Sequence, residues 1–155
     1  MKFKQILFAF AIVSVIAAAC NISSSKGNGS VRELLMNENG WVLKSSFAET
    51  PDGVMTDVFN NLEDCDKDDI EYYRAEGVAV YDEGALLCDS GAQQLFYDRW
   101  ELLDDNKTLI IIFEGIDIRD TYNIISITEK ELKMTSRDMI KGEVYTYTDK
   151  YEVNK

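Results

Sequence analysis

Residues 95–113, LFYDRWELLDDNKTLIIIF, carry the strongest fold signal in the chain. Two runs rich in aromatic and aliphatic residues, Leu95–Leu103 and Thr108–Phe113, flank the polar stretch Asp104-Asp105-Asn106-Lys107. Strand-forming runs joined by a short loop of turn residues are typical of a β-hairpin. The stretch therefore predicts a pair of antiparallel strands.

Similar runs recur on both sides of this hairpin at a spacing of about 8–12 residues, which is typical of all-β folds. Turn residues such as Asp82-Glu83-Gly84 and Lys141-Gly142 separate them. The short connections and the scarcity of long amphipathic helical patterns favour an up-and-down barrel over a βαβ layout. We expect an all-β, lipocalin-like antiparallel barrel of about eight strands: Trp41–Phe47, Ile70–Glu76, Val78–Tyr81, Leu95–Leu103, Thr108–Phe113, Thr121–Thr128, Glu131–Ser136 and Glu143–Val153.

One or two short helices are expected near the N-terminus of the barrel domain, which we place at residues 31–155. Ser30 with Glu33 three residues later forms a capping box before a helix over Val31–Asn39. After the turn signal Pro51-Asp52-Gly53, Val54–Leu62 predicts either a second short helix or an irregular crossing.

The first 19 residues have the three parts of a secretory signal: two lysines, an apolar run and three alanines before Cys20. A Cys at this place resembles the bacterial lipoprotein signal, in which a diacylglyceryl group with acyl chains such as palmitate is attached to the Cys. We expect residues 1–19 to be a signal peptide, Cys20 to be the lipidated N-terminus and residues 20–30 to form a flexible tether. An ordinary signal peptide with a chance Cys nearby is the alternative.

The residues after Cys20 indicate where such a lipoprotein would be sorted. Asn21 rather than Asp follows the Cys, and no acidic run comes next. In the lipoproteins that this signal resembles, the first feature favours the outer membrane and the second favours its periplasmic face over the cell surface.

Composition excludes several function classes. The chain has 28 acidic and 16 basic residues and no His. Without His there is no Ser-His-Asp or Cys-His nucleophile and no HExxH zinc site. Nucleic-acid binding needs a basic footprint, which a net charge of −12 does not supply. We expect no cofactor, and without residues 1–19 the net charge becomes −14.

Cys65 and Cys88 remain once Cys20 is assigned to lipid. They are too far apart in sequence for a CxxC redox motif, and an exported protein experiences an oxidising environment. A 65–88 disulfide is predicted, and closing its loop would stabilise the fold by about 3–3.5 kcal/mol.

Several features of the predicted barrel domain together resemble one family. They are a Trp-led first strand, Cys65 followed by Lys67-Asp68-Asp69, a second Cys, and Trp100-x-Leu102 before the Asp104–Leu109 turn; Tyr73, Gly77, Tyr122-x-Ile124 and Glu131-Leu132-x-Met134 complete the pattern. This order is similar to the lipocalin-like lipoproteins of Bacteroidetes, small lipidated β-barrels of mostly unassigned function. The resemblance covers residues 38–152. Because Gly40 abuts Trp41, the Gly-x-Trp signature of other lipocalins is absent, so no retinoid or haem ligand is implied.

Apolar residues of like parity along the predicted strands are candidates either to line a ligand cavity or to fill the barrel completely. Both outcomes stay open from the sequence, as does the inward face of the last strand, where Tyr145 and Tyr147 alternate with Thr146 and Thr148. The candidates are Trp41, Leu43, Phe47, Tyr73, Phe96, Trp100, Leu102, Leu109, Ile111, Phe113, Tyr122, Ile124, Leu132 and Met134.

Leu109–Phe113 is apolar on both faces of its strand. Either a helix covers Ile110 and Ile112, or these two residues form a patch that binds a partner.

The acidic stretch Glu63–Glu71 includes Asp64, Asp66 and Asp68, which have the first spacings of a calcium loop. Position 6 is Asp69 rather than Gly and position 12 is Ala75 rather than Glu, so the EF-hand pattern fails. We expect a solvated acidic loop and no metal site, with those three aspartates as a weak Ca²⁺ candidate.

The function predicted from these features is that of a membrane-anchored, non-enzymatic binding module for a small apolar or amphipathic ligand. The alternative is a structural or interaction lipoprotein with a filled barrel that docks an envelope protein. A carboxylate-based hydrolase is a distant third, because no acid lies in a recognisable catalytic motif.

Overall fold

The computed structural model describes residues 29–155, so the predicted signal peptide, Cys20 and tether residues up to 28 lie outside the described residues. Nine strands run through this part of the chain: β1 Trp41–Glu49, β2 Met55–Asp57, β3 Ile70–Tyr73, β4 Val78–Asp82, β5 Leu95–Leu102, β6 Thr108–Ile112, β7 Arg119–Ile127, β8 Glu131–Ile140 and β9 Glu143–Val153. Within residues 29–155 no helix has the length and apolar character that a membrane crossing needs.

The sheet closes into a barrel because β1 pairs with β9. The pairing is antiparallel and extends from Trp41 opposite Val153 to Glu49 opposite Thr146. On its other edge β1 meets β3 only at Trp41, and the short β2 pairs with its far end. The strands β3 to β9 follow one another in sequence order. The predicted eight-stranded antiparallel barrel is therefore confirmed, with β2 as a short ninth strand beside it.

Two short α-helices precede β3. The first, α1, spans Val31–Leu35, and its capping box forms as predicted: Glu33 N–H donates to Ser30 Oγ, and Ser30 N–H donates to the Glu33 carboxylate at 2.6 Å. The second, α2, spans Asp64–Lys67 and starts at a similar box between Glu63 and Asp66. The second helix thus lies in the acidic stretch, where a loop was expected. The stretch Val54–Leu62 holds β2 and a 3₁₀ turn at Phe59–Asn61 instead.

Helix α1 packs at one end of the barrel. Leu35 is fully buried, and the Trp41 indole N–H donates to its carbonyl at 3.0 Å. The Arg32 guanidinium lies 4.6 Å from the centre of the Trp100 ring, and the Trp100 indole N–H donates to the Arg74 carbonyl. Both tryptophans therefore have a polar partner for their only donor, which is what a buried indole requires.

The core fills the half of the barrel next to α1. It consists of residues that are buried on the inner face, and several of the predicted candidates belong to it: Trp41, Trp100, Leu109, Ile124, Leu132 and Met134, with Leu43 and Leu102 packed against them. Tyr151 joins this core, so the tyrosine-bearing face of β9 points inward.

A β-bulge in β1 changes which residues face inward. The register shifts between Leu43 and Ser45, so that Ser46 pairs with Asp149 and Phe47 pairs with Thr148. Because Tyr151 is a core residue, Asp149 shares its inner face and Thr148 does not. Phe47, predicted to share the face of Trp41 and Leu43, is therefore on the outer face, with 37% of its surface exposed. One inserted residue inverts the side-chain alternation beyond it.

Two strand ends also differ from the prediction. The strand predicted to reach Glu76 ends at Tyr73, because Glu76 and Gly77 both have positive φ and form a 3₁₀ turn. The strand β8 continues past Ser136 to Ile140 and joins β9 through a turn at Lys141 and Gly142, both at positive φ.

The predicted Cys65–Cys88 disulfide is present, with 5.2 Å between the Cα atoms. It joins α2 to the β4–β5 loop, and the Asp68 carboxylate accepts the main-chain N–H groups of Ala85 and Leu86 beside it. A Cβ at Gly84 would lie 2.4 Å from the Asp68 carbonyl oxygen, so only Gly allows this close approach. The loop is thus held by one covalent bond and by main-chain contacts.

We expect Cys65→Ser and Cys88→Ser to lower the free energy of unfolding by about 3 kcal/mol each, because the unfolded chain regains the entropy of a 23-residue separation. The double variant should lose little more than either single variant. Urea unfolding of the three variants measures this, and additive losses would mean that the two residues act independently.

Candidate functional site

The end of the barrel opposite α1 opens into a cleft of about 700 Å³. Strands reach this end at Glu49, Asp82, Ile112 and Ile140, whereas α1 lies where β1 starts. Side chains and main chain of β3 to β7 form its walls, together with the loops after β4 and β6. The barrel is therefore filled in one half and open in the other.

Aromatic side chains dominate the inner wall of the cleft. By strand alternation the inward-facing ones are Tyr73, Tyr81, Phe96, Phe113 and Tyr122. Tyr81 and Phe96 pair edge to face, with ring centres 6.5 Å apart. Tyr72, Val80 and Tyr97 also border the cleft, but they alternate with these residues and belong to the outer face.

Five of the predicted lining residues border the cleft: Tyr73, Phe96, Ile111, Phe113 and Tyr122. Among these five, Tyr73 is also a buried core residue, and Ile111 and Tyr122 pack against the core. The eight core candidates named above do not border the cleft, and Phe47 lies on the outer face. The sequence left open a lined cavity or a filled barrel; both occur, and the residues shared by the core and the cleft lie where they meet.

Glu71 is the functional residue that the sequence analysis missed. It borders the cleft from β3, on the same face as Tyr73, whose hydroxyl donates to its carboxylate at 2.7 Å. Glu71 is half buried, and the Tyr151 hydroxyl on β9 lies near its carboxylate. Burial raises the pKa of this carboxyl group, and the two tyrosine hydroxyls offset only part of that rise.

Two further carboxylates on the inner face also lie beside hydroxyl groups. Asp69 accepts from the Tyr81 hydroxyl, and Asp149 lies opposite Ser46 in the β1–β9 pair. Both are buried, and burial raises the pKa of both carboxyl groups. One oxygen of Asp69 is buried without any hydrogen-bond partner. Among residues 29–155 no salt bridge involves these acids, whose neighbours are neutral hydroxyl groups.

The pKa values of the neighbouring tyrosines are raised as well. Burial raises the pKa of Tyr73, Tyr122 and Tyr151, and the nearby Glu71 carboxylate adds to the rise in each. Their hydroxyl groups therefore stay protonated and act as donors at neutral pH.

The charged residues that border the cleft are all acidic. Glu71, Glu83, Asp98 and Glu114 border it, and among residues 29–155 no Lys or Arg does. Asp98 also accepts the main-chain N–H of Glu114 at 2.9 Å, which ties the loop after β6 to β5. An acidic, aromatic cleft attracts cations and apolar groups, and it repels anions.

The weak calcium candidates do not converge. Asp64 pairs with Lys67, Asp66 completes the box that starts α2, and Asp68 caps the loop after β4. Within residues 29–155 the only group of three potential metal ligands within 4.8 Å is Glu63, Cys65 and Cys88, and its two sulfurs form the disulfide.

Ile110 and Ile112 lie on the outer wall and are half buried. Their neighbours across the sheet are Glu101 and Thr121 for Ile110, and Arg99 and Arg119 for Ile112. Polar side chains therefore lie next to both residues across the sheet. Their role as a partner-binding patch stays a prediction.

We expect Glu71→Gln to raise the melting temperature at pH 7–8 by a few degrees, because the raised pKa makes the ionised carboxylate unfavourable in the folded state. A carboxyl group with a raised pKa contributes its full stability when it is protonated, and that contribution is lost as pH rises through the folded pKa. The gain should therefore vanish near pH 4.

Thermal unfolding from pH 4 to pH 8 measures this effect. Glu129→Gln is the matched control, because it removes the same charge from an exposed turn. An equal gain in both variants would assign the effect to net charge and not to burial.

No family model matches this chain, and no curated protein sequence matches it. The resemblance to lipocalin-like lipoproteins stays a prediction.

Proposed function

We propose that the protein is an exported, lipid-anchored binding module that holds a small amphipathic ligand in the open half of its barrel. The observation that carries this proposal is the cleft of about 700 Å³ with five inward-facing aromatic side chains. Ligand sites are typically concave and mostly apolar, with a few polar groups that fix orientation. Here the carboxylate of Glu71 and the hydroxyls of Tyr73 and Tyr81 are the polar groups.

Export and anchoring are part of the same proposal. The Cys65–Cys88 disulfide supports an oxidising compartment. The segment that would carry the lipid joins the barrel at α1, the closed end. A protein tethered there to the outer membrane, on its periplasmic face, presents the cleft away from its attachment point.

A second candidate, docking of an envelope protein, is favoured by exposed apolar side chains at the open end of the barrel. They lie on the strand ends and loops of that end, at Val54, Met55, Leu86, Leu87, Ile116, Ile118, Met139, Ile140 and Val144. Monomeric proteins rarely expose large apolar patches without a use for them. In the leading proposal these side chains contact the apolar part of the ligand as it enters the cleft.

Phe96→Ala should weaken binding of the neutral fluorescent probe N-phenyl-1-naphthylamine at least about threefold, because Phe96 supplies apolar area on the inner wall. Phe47→Ala is the matched control, since it removes the same kind of ring from the outer face of β1, at a residue that does not border the cleft. The Phe96 and Phe47 side chains are 39% and 37% exposed, so neither change removes a core residue. A probe that does not bind, or one that responds equally to both changes, would overturn the cleft as the ligand site.

Native mass spectrometry of the protein purified from its own envelope distinguishes the two candidates. A retained small molecule supports the leading proposal. A stoichiometric protein partner with an empty cleft would support the alternative.

Cys20→Ala should release the protein into the soluble fraction, because the lipid is proposed to be its only attachment to the membrane. Fractionation of cells that express the variant and the unaltered chain measures this. Continued recovery with the membranes would contradict the lipid anchor.

A further inference from the structure

The polar groups of the cleft are arranged as a receptor for positive charge. The four carboxylates that border it come from β3, β5 and the loops after β4 and β6, so they face the cavity from several sides. Acids that line a cavity with low-dielectric walls focus a negative potential inside it. Arg74 lies over the ring of Tyr72, which belongs to the outer face, and Arg119 and Arg137 line a separate opening between β7 and β8.

Glu71 is the acid best placed to hold a ligand. Its hydrogen bond comes from the uncharged hydroxyl of Tyr73, and no salt bridge neutralises it within the described chain. Partial burial of a carboxylate without a cationic partner is costly, and a bound cation removes that cost. Glu71 borders the cleft, which is where a bound cation would lie.

The aromatic wall suits the same charge. Tyr81 and Phe96 form an edge-to-face pair at the mouth, and Phe113 and Tyr122 lie on the neighbouring strands. Aromatic faces attract ammonium groups through their quadrupole, by about 0.5–2 kcal/mol per contact according to exposure. The same rings bury the apolar part of a ligand.

A divalent metal ion fits the cleft less well than an organic cation does. Hard metal ions need several oxygen ligands around one point. Among the described residues no three carboxylates of the cleft come within 4.8 Å of one another. One carboxylate at the base of an aromatic cavity matches a single ammonium group on an apolar body.

We propose, building on the binding role above, that the ligand is a protonated amine with an apolar body, whose ammonium group pairs with Glu71 while its body packs on the aromatic wall.

Three probes with the same octyl chain test the charge preference: octylamine, 1-octanol and octanoate. Each displaces N-phenyl-1-naphthylamine from the unaltered protein at pH 7.5, where octylamine is protonated and octanoate is ionised. We expect octylamine to act at a concentration about tenfold lower than 1-octanol, and octanoate to act least well. Equal displacement by all three, or a preference for octanoate, overturns the inference.

The variant Glu71→Gln then assigns the preference to one side chain. It keeps the shape and the acceptor for Tyr73, and it should bring octylamine to within about threefold of 1-octanol while displacement by 1-octanol stays unchanged. Glu129→Gln, on an exposed turn, should keep the full preference. A preference that survives in Glu71→Gln contradicts the assignment of the ammonium site to Glu71.

These measurements distinguish a wrong ligand class from a wrong binding role. If the neutral probe binds the cleft but charge makes no difference, the cleft still binds ligands and only the amine is wrong. If neither the neutral probe nor any octyl compound binds, the proposed function itself fails.

Discussion

The pairing of β1 with β9 is the constraint on which the rest of the structure depends. It converts a chain of hairpins into a closed wall, and it sets Trp41 beside both Leu35 and the core. The bulge after Leu43 then decides which β1 side chains enter the barrel: small residues, Ser46 and Ala48, replace the large Phe47 on the inner face. On the inner face of β1, the large Trp41 and Leu43 lie on the α1 side, whereas the small Ser46 and Ala48 occupy the far half. This difference contributes to a barrel that is solid at one end and hollow at the other.

Three acids on the inner face lie beside hydroxyl groups. Asp69 accepts from Tyr81 on β4, Glu71 accepts from Tyr73 on its own strand, and Asp149 lies opposite Ser46 of β1. Such hydroxyl groups offset part of the desolvation of a carboxylate, and the raised pKa values record what remains. The hydrogen bond between Tyr81 and Asp69 also ties β4 to the residue that precedes β3.

Much of the architecture was predictable from local signals. The Asp104–Lys107 turn, the Ser30–Glu33 capping box and the pair Cys65 and Cys88 each act through their near neighbours or through a single possible pairing. The bulge in β1 was not predictable, because it depends on how β9 meets β1 and leaves no mark on the alternation of Trp41, Leu43 and Phe47. Glu71 did leave a signal: it has the same strand parity as Tyr73, so a strand that buries one must turn the other inward. A search for apolar residues alone passes over it.

The stability of the filled half of the barrel offsets the cost of an unpaired carboxylate in the open half. Burial of Trp41, Trp100 and the aliphatic side chains around them supplies the apolar contacts that stabilise the fold, and the disulfide constrains the long segment that leads from α2 to β5. That stability allows the open half to retain Glu71 in a position that is unfavourable for an ionised carboxylate. A cation bound there neutralises this charge, so ligand binding and folding are linked: the ligand stabilises the folded chain by the free energy with which it occupies the cleft. In the proposed binding role, Glu71 lowers the stability of the barrel when no ligand is bound, and it also selects a cationic ligand for the cleft.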